Sequence, residues 1–424
     1  MTPHPILPAG RRRTQPRHLP GRSPLLLLLA VWTTAVARPA QAAPADRWWS
    51  DAAEQALTRA GTNRAELVQA LHQAPVSQRD GLQFLVENMP RRDLETLSAA
   101  FLLENLALAF KAREEVPWSN SVPAEIFLNE VLPYANMSEP RDPWRKRLRE
   151  LCVPLVTECR TPAEAAQQLN RKLFRLVKVR YSTQRRRAVQ SPIETMESGL
   201  ATCTGLSILL VDACRSVGVP ARVVGTPLWS NKTGNHTWVE IWDGDWHFTG
   251  AAEPDPKGLD RGWFVHNASQ ARKDVPEHAI YALSFRKTGL AFPAFWGRDA
   301  DPLSAVNVTD RYLTRAKPAH PGTMRLLVKV LDRPAGERVA AKVTVTDTAD
   351  RAVRFEGTSR GETADLNDVL PFEVPRQRMY LIEVSQAGRT NRQSFIAGTN
   401  AQDQVVVFLD AASPLTSGEA GGVK

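Results

Sequence analysis

Two segments decide the fold of this chain: Gly199-Leu-Ala-Thr-Cys-Thr-Gly-Leu-Ser-Ile-Leu-Leu-Val-Asp-Ala-Cys-Arg-Ser-Val-Gly-Val-Pro-Ala-Arg222 and Gly234-Asn-His-Thr-Trp-Val-Glu-Ile-Trp242. In the first segment apolar residues recur at helical spacing, and they predict a helix with Thr202 as its N-cap. Gly218 and Pro220 predict the end of this helix, because glycine suits the left-handed C-terminal position and proline prevents continuation. Cys203 is therefore expected in the first turn.

A cysteine in the first turn of a helix has a particular chemistry. The amides of that turn lack partners within the helix and lie at the positive end of its dipole. They favour a thiolate over a thiol, and they suit an oxyanion that forms when sulfur attacks a carbonyl group. We therefore expect Cys203 to ionise near neutral pH and to act as a nucleophile.

The second segment alternates between polar and apolar residues and predicts a strand with His236 near its start. Asp243-Gly244 is a turn signal, so residues 245–252 are expected to form the returning strand. If the turn has two residues, Trp242 pairs with Asp245, and Glu253 lies diagonally from His236 on the same face. Glu253 would then orient the His236 ring. A three-residue turn would reverse the faces.

These residues together resemble the transglutaminase-like superfamily, whose core is similar to that of papain-type cysteine proteases. The resemblance covers roughly residues 170 to 270. It implies an α+β fold in which Cys203 is the nucleophile and His236 is the base. The third residue of the superfamily is usually an Asp at the position that is Gly250 here. We expect Glu253 to take this role, with Asp255 as the second candidate and a Cys-His dyad without a carboxylate as the remaining alternative.

The resemblance also implies a function. It indicates a cysteine-dependent acyl-transfer enzyme that acts on a protein or peptide with an amide or glutamine side chain, through a Cys thioester that water or an amine resolves. One alternative is a non-catalytic binding module that keeps the fold. Another is a peptide:N-glycanase-like amidase, suggested by the segment Gly250-Ala-Ala-Glu253. No cysteine pair has zinc-finger spacing and no His-Glu-x-x-His motif occurs, so we expect neither a metal nor a cofactor.

Three further residues are candidates for substrate binding. Trp229 would line the cleft, and Tyr181, upstream of the nucleophile, would help to stabilise the oxyanion. Arg186, within three adjacent arginines, would orient an acidic substrate through charge-assisted hydrogen bonds. The ordinary alternative for the two aromatic residues is packing, and for Arg186 it is a solvated loop.

Charge and leader composition indicate where the protein acts. Six of the nine net positive charges come from arginines within residues 1–42, which contain no acidic residue. These arginines, the apolar run Leu25–Leu29 and Ala40-Gln-Ala42 are typical of a secretory signal peptide. We therefore expect export to the periplasm or the extracellular space, without stable membrane insertion, because the apolar run is short for a membrane span. The rest of the chain is mildly basic and has no nucleic-acid motif, so a nucleic-acid partner is not expected.

Composition and residue patterning along the sequence predict five segments. They are a signal peptide (1–42), a helical N-terminal region (43–150), the transglutaminase-like catalytic domain (151–300), a β-sandwich (320–411) and a flexible tail (412–424). The β-sandwich is similar to the transthyretin-like or carboxypeptidase-regulatory-like modules of secreted enzymes. Cys152 and Cys159 either form a disulfide across a turn or stay free, and Cys214 is expected to be a buried thiol.

Overall fold

The computed structural model of the protein describes residues 47–293, 303–315 and 320–410. The predicted signal peptide (1–42) and the predicted tail (412–424) lie outside the described residues. Among the helices in the described ranges, none has both the length and the apolar character that a bilayer crossing requires. The fold is of the α+β class, as predicted, with helices first, a mixed central part and sheets at the C-terminal end.

The part of the chain before the first strand is helical. Its α-helices are α1 (Asp51–Arg59), α2 (Arg64–Gln73), α3 (Arg79–Asn88), α4 (Arg91–Thr96), α5 (Ala99–Glu115), α6 (Ala124–Glu130), α7 (Trp144–Val156) and α8 (Pro162–Leu176). Short 3-10 helices occupy Gly61–Asn63, Val76–Gln78 and Ser119–Ser121. These helices bury apolar side chains at helical spacing, as Leu102, Leu106 and Ala109 do in α5.

The helix that carries Cys203 lies at the centre of the fold. It is α10 (Cys203–Ser216), preceded by β1 (Arg180–Tyr181), α9 (Pro192–Ser198) and β2 (Leu200–Ala201). Thr202 is the N-cap residue, as predicted, with extended backbone angles of φ −91° and ψ −179°, although its side chain makes no capping hydrogen bond. Gly218 has a φ of +73°, and its amide donates to the Arg215 carbonyl. The predicted end of the helix is therefore confirmed.

A five-stranded antiparallel sheet supports this helix. Its strands are β3 (Ala221–Thr226), β4 (His236–Trp242), β5 (Trp246–Thr249), β6 (Tyr281–Ser284) and β7 (Ser304–Asn307), in the order β5-β4-β3-β6-β7. Helix α10 packs against β3 and β4, so the start of the helix and the start of β4 face each other. Two short helices, α11 (Val265–Ala268) and α12 (Thr309–Leu313), and a 3-10 helix at Pro276–His278 complete this part of the chain.

The β4–β5 hairpin has the three-residue turn, the alternative that reverses the faces. Trp242 pairs with Trp246, so the loop has three residues. The extra residue is accommodated because the Asp243 amide donates to the Asp245 carbonyl and Gly244 adopts a φ of +77°. The pairing of Trp242 with Asp245, which depended on a two-residue turn, does not form, and the faces are reversed. In the observed register Gly250, one residue beyond β5, falls on the face of His236.

Two sheets form the C-terminal part. One has the strand order β11-β8-β14 and the other β10-β9-β12-β13. The strands are β8 (Thr323–Leu331), β9 (Lys342–Asp347), β10 (Arg354–Thr358), β11 (Leu370–Pro375), β12 (Met379–Gln386), β13 (Arg389–Ile396) and β14 (Gln402–Phe408). Both sheets contribute to one apolar core that includes Val328, Val345 and Ile382. This is the predicted β-sandwich.

The cysteines do not form disulfides. Cys152, Cys159, Cys203 and Cys214 are all described and all free. Cys152 and Cys159 are both buried without a bridge, and Cys214 is the buried core thiol that the helix pattern predicts.

Candidate active site

Helix α10 and strand β4 hold Cys203 close to His236. Cys203 is the first residue of α10 and is partly exposed. The hydroxyl oxygens of Thr204 and Thr237 lie 3.2 Å apart, and the Ser207 hydroxyl donates to the Thr237 carbonyl over 3.2 Å. These two hydrogen bonds connect the first turn of the helix to the residue after His236, so the Cys-His pair is positioned by buried backbone and side-chain contacts.

The His236 ring lies in an aromatic pocket and is only 2% exposed. Four rings surround it, with centroid distances of 4.5 Å to Trp263, 5.0 Å to Phe264, 5.8 Å to Trp238 and 6.3 Å to Trp229. Both ring nitrogens of His236 are buried, and neither has a hydrogen-bond partner among the described residues. Both are therefore available for proton transfer within the site.

A carboxylate from the β-sandwich reaches this histidine. Asp365 lies in the loop between β10 and β11, residues 359–369, and is 1% exposed. Its Oδ2 atom lies 3.6 Å from Nδ1 of His236. One donor atom from each of Cys203, His236 and Asp365 falls within 4.8 Å of the other two. The structure thus brings together a Cys-His-Asp group that resembles a catalytic triad.

Neighbouring groups orient the Asp365 carboxylate. Oδ1 of Asp365 accepts hydrogen bonds from the Asn367 amide at 2.8 Å and from the Asn367 side chain at 3.1 Å, which leaves Oδ2 for His236. Nδ2 of Asn367 also donates to the Asn235 carbonyl at 2.9 Å. Arg338 donates to the Asp365 carbonyl at 2.7 Å. The loop is thereby joined to the residue that precedes His236.

The pKa of Asp365 reflects these contacts. Burial on its own would raise the pKa, but the charge attraction to His236 and the two hydrogen bonds from Asn367 outweigh it and lower the pKa below 3.8. Asp365 is therefore ionised at neutral pH, and its negative charge can stabilise a protonated His236.

The pKa of Cys203 moves in the direction opposite to our expectation. Although the residue is partly exposed, the protein around its sulfur desolvates a thiolate, and this burial raises the pKa well above 9.0. The charges of Asp365 and Glu253 add to the increase, and backbone hydrogen bonds from Thr237 and Thr204 only partly oppose it. The predicted thiolate at neutral pH is therefore wrong for the resting site, because burial and two carboxylates outweigh the helix amides.

Glu253 occupies the place of the side chain that residue 250 lacks. A Cβ atom added to Gly250 would collide with Oε2 of Glu253. That same oxygen accepts a hydrogen bond of 2.8 Å from Nε1 of Trp263, the ring that packs against His236. Burial raises the pKa of Glu253 well above 4.5, and the charge of Asp365 raises it further.

Asp365, rather than Glu253, lies where the third residue of a Cys-His-Asp triad would lie, beside the His236 ring. Among the described residues it is Asp365 whose carboxylate comes within 4.0 Å of a His236 ring nitrogen. Asp255, the second candidate, accepts from the Lys257 amide at 2.8 Å and lies 3.4 Å from Arg261. Sequence reasoning missed Asp365, because no motif connects its loop to the Cys-His segments.

The three predicted substrate-binding residues have different environments. The Tyr181 hydroxyl accepts from the Leu366 amide at 3.2 Å, and Tyr181 pairs with Ala201, two residues before Cys203. Trp229 is 1% exposed and stacks on Trp238, so it lies inside the aromatic pocket rather than along an open cleft. The guanidinium of Arg186 is 59% exposed and lies 3.8 Å from Glu194. The roles of these residues in binding stay predictions.

The Cys-His-Asp group also has the donor chemistry of a zinc site. A metal ion would occupy one ring nitrogen of His236, and a metal-ligating histidine usually donates its other N–H to a second partner. Nδ1 of His236 faces Oδ2 of Asp365 at 3.6 Å. A triad uses both ring nitrogens, one toward sulfur and one toward the carboxylate. The described residues therefore offer the same three side chains to proton transfer or to a metal ion.

One family model and several solved structures are similar to this chain. Residues 149–267 match the family model described as Transglutaminase-like superfamily. A search of curated proteins found no match. Three solved structures are similar to this chain: a candidate cysteine protease from Cytophaga hutchinsonii (18% identity, TM-score 0.23), red sea bream transglutaminase (10%, 0.24) and a candidate protease from Parabacteroides distasonis (8%, 0.25).

The structural similarities are partial. They cover 38%, 70% and 69% of this chain and 58%, 59% and 54% of the three solved chains, in the same order. With TM-scores this low, the family assignment depends on the family match and on the site. Cys203 and His236 lie inside the matched residues, and Asp365 lies outside them. Residues 149–267 of this chain are a transglutaminase-like superfamily domain.

Proposed function

We propose that this protein is a cysteine-dependent acyl-transfer enzyme that attacks an amide bond in a protein or peptide. The observation that carries the proposal is the proximity of Cys203, His236 and Asp365, with donor atoms within 4.8 Å of one another at the start of a buried helix. Such a group has the nucleophile, the base and the orienting carboxylate that amide cleavage requires.

The first half of the reaction forms a thioester. The sulfur of Cys203 bonds to the substrate carbonyl carbon while the thiol proton passes to His236. This transfer is needed during the attack, because burial keeps the resting thiol protonated. The Asp365 carboxylate stabilises the imidazolium, and the amides at the start of α10 receive the oxyanion. His236 then returns the proton to the nitrogen as the carbon–nitrogen bond breaks and the amine leaves.

The second half of the reaction releases the acyl group. With His236 as base, water or an amine attacks the thioester carbonyl, the carbon–sulfur bond breaks, and Cys203 regains its proton. Water gives hydrolysis and an amine gives transamidation. The two outcomes share every earlier step, and exclusion of water from the cleft favours transamidation.

A burst assay tests thioester formation without knowledge of the natural substrate. We expect p-nitrophenyl acetate to release one equivalent of nitrophenolate rapidly and to leave an acetyl group on Cys203, visible by intact-mass and peptide mass spectrometry. Cys203→Ala should abolish the burst. Cys214→Ala, which removes a thiol from the same helix, should retain it. An absent burst in the wild type, or an equal burst in Cys203→Ala, would overturn the proposal.

Amide substrates then identify the reaction. Dimethylcasein with and without dansylcadaverine reports amine incorporation and ammonia release, and a glycopeptide reports the amidase alternative. The non-catalytic binding alternative predicts no turnover and no acyl-enzyme with any of these compounds.

The site of action is a separate proposal. We propose that the protein is exported, on the support of the arginine-rich and apolar leader that ends near Ala42. N-terminal sequencing of the protein from a fractionated culture tests this. A mature N-terminus near residue 43 in the periplasm or medium is the expected result, and an intact leader on a cytoplasmic protein would contradict it.

A further inference from the structure

A groove adjoins the candidate active site on the side of Trp263. It comprises two cavities of about 150 and 550 Å³, and both are lined by Trp263, Arg325 and Arg360. Trp263 packs against His236. Leu366 and Asn367, which adjoin Asp365, also line the smaller cavity. The groove therefore begins beside residues that contact the Cys-His-Asp group.

One arginine in this groove differs from the others. Ion pairs join Arg261 to Asp255 at 3.4 Å, Arg315 to Asp260 at 3.5 Å and Arg360 to Asp368 at 2.7 Å. In contrast, the guanidinium of Arg325 has neither a carboxylate within 4.0 Å nor a hydrogen-bond acceptor in the ranges that the structure describes. Arg325 lines both cavities, and among the described residues its guanidinium donors have no protein partner.

The surroundings of Arg325 favour an anionic ligand. Burial lowers the pKa of Arg325, and the charges of Glu373 and Asp368 only partly compensate. Arginine nevertheless stays protonated in proteins, so a partly desolvated cation lines this wall. Glu373 lies opposite Arg325 in the β8–β11 ladder but outside ion-pair distance. A ligand carboxylate would supply the missing acceptors in a bidentate arrangement.

The neighbouring histidine does not add a second charge. Burial and the charge of Arg325 lower the pKa of His266 to about 4, so His266 is neutral at physiological pH. Trp263 contributes an aromatic surface to the same cavity. The groove thus combines the unpaired Arg325 guanidinium with the Trp263 ring, which also packs against His236.

We infer that Arg325 binds a carboxylate of the substrate, so that the enzyme acts on peptides that carry a free carboxylate close to the attacked amide. The inference deepens the proposed function and rests on it, because a ligand of this groove is a substrate only if the protein is an enzyme. It assigns recognition of an acidic substrate to Arg325, on the β-sandwich, instead of to Arg186, which lies near Glu194.

Binding to an inactive variant tests this inference apart from catalysis. The probe is the peptide acetyl-Ala-Gln-Ala-Ala, prepared with a C-terminal carboxylate and with a C-terminal carboxamide, titrated calorimetrically into the Cys203→Ala protein. We expect the carboxylate form to bind about tenfold more tightly or better, since a hydrogen bond between two charged groups is stronger than one to a neutral amide. Arg325→Gln should remove this preference. Arg315→Gln, which lines the same groove but removes a paired arginine, should keep it.

Three results would overturn the inference: equal affinity of the two peptides or no binding of either, a preference that survives Arg325→Gln, or an equal loss in Arg315→Gln. Circular dichroism melts of each variant show that it is folded. The two proposals fail separately. A missing p-nitrophenyl acetate burst with an intact carboxylate preference rejects the enzyme but keeps the binding site, whereas a burst without the preference rejects only the site.

Discussion

Oδ2 of Asp365 lies 3.6 Å from Nδ1 of His236, although the aspartate belongs to a β-sandwich loop and the histidine begins a strand of the transglutaminase-like domain. Directly after Asp365 the loop is anchored at two points, by the Asn367 bond to Asn235 and by the Leu366 amide, which donates to Tyr181. The Cys-His-Asp group is therefore complete only when the sandwich is in place.

Loss of the Asp365 charge should slow acyl transfer. We expect Asp365→Asn to reduce the acylation rate about a hundredfold or more, because an amide cannot stabilise the imidazolium or hold its orientation as a carboxylate does. Stopped-flow measurement of the p-nitrophenyl acetate burst checks this. Asp368→Asn, in the same loop but paired with Arg360, is the matched control and should be nearly unchanged. A larger loss in Glu253→Gln than in Asp365→Asn would assign the third role to Glu253.

The same Asp365→Asn change should have the opposite effect on alkylation of Cys203. The charge of Asp365 raises the pKa of Cys203, so its removal lowers that pKa and increases the thiolate fraction at a given pH. At about pH 8, iodoacetamide should therefore modify Cys203 faster in the variant than in the wild type. Peptide mass spectrometry measures this, with buried Cys214 as the internal reference. Slower alkylation in the variant would mean that Asp365 maintains a preformed thiolate–imidazolium pair.

Glu253 should make stability depend on pH. Its pKa in the folded protein lies well above 4.5, so the folded state retains a proton that the unfolded chain releases. The contribution of Glu253 to stability is therefore greatest at a pH below the unfolded value and is lost as the pH rises toward the folded value. We expect Glu253→Gln to become progressively more stable than the wild type over this interval. Urea unfolding of both proteins at several pH values checks this, and a difference that is constant with pH would contradict it.

Gly250 and Glu253 should be coupled in stability. Gly250→Ala places a methyl group where Oε2 of Glu253 lies, and we expect a cost of about 1–3 kcal/mol from overpacking. In a Glu253→Ala background Oε2 is absent and the Cβ of residue 253, at 3.1 Å, is the contact that remains there, so the same change should cost less. A double-mutant cycle of unfolding free energies measures the coupling. Additive effects would show that Glu253 moves aside without cost.

The sequence alone determined the Cys203 helix and its limits, because caps, apolar spacing and helix-ending residues act within a few positions of one another. It also predicted the strand of His236 and the C-terminal sandwich. Only the tertiary structure decided the β4–β5 register, since one additional loop residue moves Gly250 onto the face of His236. The approach of Asp365 depends on how the sandwich packs against the transglutaminase-like domain. The direction of the Cys203 pKa shift depends on burial and on carboxylates distant in sequence, and these long-range effects leave no local pattern to read.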